Sequence, residues 1–156
     1  MKQPGNIQKI EEDLRASKIV AGGFMGDETR SLSEIIDADN AELAGLGITA
    51  KQLAEKMQKI TDQAKTALGE WVMVGKNINA KTDEAKGILT CPWPHTGKFD
   101  KRVTTVKKTD TGQTIFWSDL NIHLIAEHAF FEGKGSPFRL EPAKLAEFFK
   151  KFLLPA

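Results

Sequence analysis

From the N-terminus, apolar residues first recur at helical spacing. Ile7, Ile10 and Leu14 line one face of a helix expected from about Asn6 to Val20. The glycines of Gly22-Gly23-Phe24-Met25-Gly26 break that period, and the segment reads as a flexible connector. Ser31 with Glu34 at capping-box spacing, or Ser33 alone, can cap a second helix, which carries Leu32, Ile35, Ile36 and Leu43 and stops at Gly45-Leu46-Gly47. Thr49 with Gln52 repeats the device. Behind it Leu53, Met57, Ile60, Ala64 and Leu68 form one stripe, which predicts a helix of about 20 residues.

After Gly69 the period shortens to two. Trp71–Val74 reads as a strand, Gly75-Lys76-Asn77 as a turn, and a second strand starts near Ile78. Ile88–Thr90 is a short strand that runs into Cys91-Pro92-Trp93-Pro94-His95, where two prolines impose an irregular loop. Val103–Val106 and Gln113–Trp117 flank Thr109-Asp110-Thr111-Gly112, the pattern of a β-hairpin. Ser118 or Asp119 caps a helix from about Leu120 to Glu132, closed by Gly133. Pro142 opens a last helix that ends near Leu153. The order predicts an α+β fold: N-terminal helices, a small antiparallel sheet, and two C-terminal helices. Residues 1–156 fit a single domain, with Gly69 a seam between a helical subdomain, 1–69, and a hairpin–helix subdomain, 70–156.

Composition adds limits. A chain of 156 residues buries enough surface to fold without a disulfide or metal. One cysteine excludes an internal disulfide framework and fits a reducing compartment, and no apolar run follows Met1-Lys2-Gln3-Pro4-Gly5, so a cytoplasmic location is expected. No apolar stretch approaches the ~20 residues of a membrane span. Net charge is +1, divided as −3 over residues 1–84 and +4 over residues 85–156, which favours an anionic partner for the second half.

The chemistry concentrates in that half. The cysteine, Cys91, and all three histidines, His95, His123 and His128, fall between residues 91 and 128. Their order, C-x3-H then H-x4-H, is the rhythm of a zinc site built from a turn and a helix. His123 and His128 are about 140° apart on a regular helix, so they converge only near an irregular end. His123 and Glu127 do share a face, which defines a rival: a metal-dependent hydrolase with an open site of His95, His123 and Glu127 or His128, with Glu127 as general acid or base. Gly133-Lys134-Gly135-Ser136 lacks the upstream glycine and preceding strand of a nucleotide loop, but its amides, with Lys134 and Arg139, suit a local anion site. Five basic residues between Lys98 and Lys108, with Trp93, Phe99 and Trp117 close by, have the composition of a single-stranded nucleic-acid surface. The stripe Leu145, Phe148, Phe149 and Phe152 is core, or, left uncovered, a homodimer interface. The leading expectation is a non-catalytic binding module, zinc-stabilised in its hairpin–helix unit, for an anionic or protein partner. A hydrolase and a metal-free structural dimer are the alternatives.

Overall fold

The computed structural model describes residues 5–16, 23–93, 95 and 97–150. Among them the fold is α+β, with five helices and one four-stranded antiparallel sheet. Helices α1 (Gly5–Ala16), α2 (Leu32–Gly45) and α3 (Ala50–Ala64) come first. Strands β1 (Val72–Gly75), β2 (Ile78–Thr90), β3 (Lys98–Lys108) and β4 (Thr114–Ser118) follow and lie side by side in chain order. Helices α4 (Asp119–His128) and α5 (Pro142–Phe148) complete the described chain. No described helix is long and apolar enough to cross a membrane.

Both expected capping boxes form. Ser31 Oγ accepts from the Glu34 amide while Glu34 accepts from the Ser31 amide, and Thr49 and Gln52 do the same for α3. The α3 stripe ends sooner than its spacing predicts. A 3-10 turn over Lys65–Ala67 replaces the last α-turn, and Leu68 adopts a left-handed φ of 50° and stands in solvent. The reversal into the sheet overrides the apolar period there.

The glycine segment before α2 is not a flexible connector. Phe24 and Met25 are fully buried. The Asp27 amide donates to Lys134 O at 2.7 Å, and the Gly133 amide to Phe24 O at 2.9 Å. A Cβ on Gly26 would stand 2.3 Å from the Ser136 nitrogen, so this glycine serves close backbone packing between two loops. The residues expected to finish α1, 17–20, and Gly22 lie outside the described residues.

Strand β2 is longer than the two short strands its pattern suggests. Ile78, Ala80 and Thr82 alternate inward, but residues 83–88 are exposed on both sides, so period two is lost while pairing to β3 continues. The tip of this long hairpin projects past the sheet and carries Cys91 and His95.

Helix α4 is the centre of the molecule. Ile122 and Ile125 face a core shared by α3, α5 and the inner side of the sheet, while Leu120 and Leu124 face a second core with α1, α2, Cys91 and Phe130. The first of these cores draws residues from both sides of Gly69. The helix stops at His128, not near Glu132, because Ala129 turns left-handed at φ 51° and its amide closes on the Ile125 carbonyl. At α5 and its C-cap, Leu145, Phe148 and Phe149 are buried within their own chain, so these three residues of the stripe are core. Phe152 and the expected end of this helix near Leu153 lie outside the described residues.

Candidate metal centre

The hairpin tip folds against the last turn of α4 and brings four side chains together. His95 Nε2 lies 3.1 Å from His128 Nε2 and 3.2 Å from His123 Nε2, and Cys91 Sγ lies 3.4 Å from His128 Nε2. One ligand atom from each of the four is within 4.8 Å of every other. A tetrahedral zinc with ordinary bond lengths separates two nitrogens by about 3.3 Å and a nitrogen from a sulfur by about 3.6 Å. Three of the six edges of such a tetrahedron are thus nearly in place, and the donor set is one that zinc accepts. The group could hold a metal ion.

The helical-face objection is met by His95. His123 and His128 project from different sides of α4, with ring centroids 5.2 Å apart and planes 81° apart. The imidazole of His95, arriving from the tip, stands within reach of both. His128 is the final helical residue, so its ring is clear of a following turn.

Local sequence explains the tip. The His95 amide donates to Trp93 O at 2.8 Å, which tightens the turn between the two ligands. The Trp93 backbone also hydrogen-bonds Cys91, which favours the thiolate. Gly97 leaves room for these rings: a Cβ there would be 3.1 Å from His95 Cε1 and 3.2 Å from Phe99 Cε2, so the rings would have to shift by a few tenths of an ångström. Aromatic rings wall the group in. Trp93 stacks on His128 with centroids 4.1 Å apart and planes 9° apart, and Phe99 lies 4.6 Å from His123.

Burial sets the charge states. His128 is pushed down to about 4 by burial first, then by the neighbouring His123 and His95, and His123 is lowered by burial first and then by His95. Both are neutral imidazoles at pH 7, the form that binds metal. Burial pushes the Cys91 thiol up. A bound cation would displace its proton. Cys91 is buried, His123 and His128 are half-buried, and His95 is exposed.

Glu127 is exposed and its carboxylate is not one of the four convergent groups. It acts from a distance, raising the basicity of His123 and His128 slightly. Lys134 and Arg139 are not gathered into an open cradle. The Arg139 side chain, 7% exposed, is forked onto Asp39 at 2.6 and 3.0 Å, with Glu141 beside it at 3.2 Å, and Lys134 is exposed. A surface cleft of about 740 Å³, lined in part by Leu46, Ile48, Lys56, Ala146 and Lys150, contains none of the four convergent residues. Sequence reasoning missed Trp93, Phe99 and Gly97 as the walls of the group. Their adjacency to Cys91 and His95 was visible, but no spacing rule signals ring stacking.

Compared with protein-family models, curated proteins and solved structures, the chain matches none.

Proposed function

We propose that this protein is a small cytoplasmic, non-catalytic binding module for an anionic or protein partner, and that a zinc ion held by Cys91, His95, His123 and His128 fastens its β2–β3 hairpin tip to α4. The observation that carries this reading is the convergence of three imidazole Nε2 atoms and one sulfur at separations of 3.1–3.4 Å along three edges. Four protein ligands complete a tetrahedron and leave no position for water, so the site is structural and not hydrolytic. Glu127, outside the ligand group, has no metal-bound water to serve.

The clasp has a physical purpose. Near the tip of β2 and β3, residues 83–88 are exposed on both sides. Apolar burial there is confined to a few side chains such as Leu89, Phe99 and Cys91. A bound ion adds its binding free energy to the folded state.

Cobalt substitution tests this. Full-length protein titrated with Co(II) should show the intense visible bands of a tetrahedral ion together with a near-ultraviolet thiolate charge-transfer band, which Cys91→Ser abolishes. Weak bands of a six-coordinate ion, or an unchanged spectrum in Cys91→Ser, would overturn the closed site.

A further inference from the structure

The sheet has a second face. Beside β1 and β4, helices α3, α4 and α5 pack on the side of Ile78, Ala80, Val106 and Trp117. Antiparallel register fixes what lies on the other side. Lys81 pairs with Thr105 and Thr105 with Phe116, while Lys81 Nζ sits 5.3 Å from the Trp71 ring centroid. Trp71, Lys81, Thr105 and Phe116 therefore form one row across all four strand positions. The next row is Met73, Asn79, Lys107 and Thr114.

This face is unusual in two respects. Trp71, Met73 and Phe116, three of the six large apolar side chains exposed among the described residues, belong to it, at 45%, 73% and 42% exposure. Its strand positions also carry more cations than anions: Lys81, Lys107 and Lys101 alternate onto the same side as Asp83, whose carboxylate lies 3.6 Å from Lys81.

We infer that this open face binds single-stranded nucleic acid, with bases stacked on Trp71 and Phe116 and phosphates paired to Lys81 and Lys107. Two exposed aromatics at opposite edges of one row are about 14 Å apart at ordinary inter-strand spacing, a distance that a few nucleotides of extended strand cover. A lysine in each row supplies cations along the path between them. Unpaired bases offer planar faces to such rings, and every base has one, so recognition is tolerant of sequence. A duplex hides its base faces and has no use for the aromatics. An acidic peptide would use the lysines and leave Trp71 and Phe116 idle. The inference rests on reading the chain as a binding module and is independent of the metal, so metal content and strand binding fail separately.

The test is fluorescence anisotropy of a labelled short oligothymidylate titrated with the full chain, beside the same length of duplex and a polyglutamate peptide. The single strand should bind tightest, with affinity falling linearly in log–log salt plots. Trp71→Ala and Phe116→Ala should each weaken binding about tenfold in protein that remains folded, Phe116→Ala with some loss of stability because its ring packs edge-on against Phe138. Lys81→Ala with Lys107→Ala should reduce the salt slope by about two. Absence of single-strand binding at low salt, equal or better binding of duplex or polyglutamate, or indifference to both aromatic substitutions in folded protein would overturn the inference.

Discussion

His95 and His128, 33 residues apart, bring their Nε2 atoms to 3.1 Å, one from the hairpin tip and the other from the last residue of α4. Each has a different local device beside it. The His95 ring packs over Gly97, and His128 precedes the left-handed stop at Ala129. The contact lies beside the apolar packing of Cys91, Trp93 and Phe99 against α4 and Phe130.

Loss of one ligand should remove the ion. Cys91→Ser and His123→Ala are each expected to lose stoichiometric zinc and to lower the melting temperature by roughly 5–10 °C, the shift that a few kcal/mol produces in a domain of this size. Inductively coupled plasma analysis and calorimetry on the same samples check both effects.

Gly97→Ala tests geometry without touching a ligand. The added methyl would press on the His95 ring and on Phe99. Zinc affinity should fall at least tenfold, as for other changes to the support of a metal ligand, while the metal-free melting temperature moves little. Competition with a chromophoric chelator reads the affinity.

Glu132 gives a pH dependence of its own. Burial raises its carboxyl to about 7, against hydrogen bonds from Ser136 and Asn121 and the charge of Arg139, which pull it down. The folded state thus holds a proton that the unfolded chain releases near 4.5. This stabilisation is complete below about 4.5 and is lost as pH rises through about 7, amounting to about 3 kcal/mol. The histidines act oppositely: with lowered values, His123 and His128 give stability that is present above 6.5 and lost on acidification. Glu132→Gln, whose amide can donate to Ser136, should remove the first trend alone. Urea melts of both proteins at pH 5 and pH 8 should show the variant gaining relative stability at the higher pH.

The pair Arg139–Asp39 is buried, at 7% and 5% side-chain exposure, and ties the segment after α4 to α2. Arg139→Met leaves the Asp39 carboxylate buried without its partner. The expected cost is about 3–5 kcal/mol, measurable in the same denaturant melts.

Several features of this molecule are legible in its sequence because their causes are local. The boxes Ser31/Glu34 and Thr49/Gln52 lie within single helical turns, and the turn at Gly75-Lys76-Asn77 joins β1 to β2 as expected, with Asn77 at a left-handed φ of 59°. The four convergent residues were legible by crowding and chemistry. What stayed hidden is long-range. Leu68 continues the α3 stripe in one dimension, yet chain reversal places it in water. The glycines near Phe24 signal freedom in isolation, but their partner is the loop at Gly133–Ser136. Arg139 looked available beside Lys134 until folding set Asp39 against it. Helical angles alone separate His123 from His128, and only the arrival of His95 between them brings the group together.

The most direct measurement is elemental analysis of untagged protein purified without added metal or chelator. The account predicts about one zinc per chain, retained through dialysis and lost in Cys91→Ser. Metal-free protein that takes up no zinc on titration would contradict it and leave the Cys91, His95, His123 and His128 cluster as packing alone.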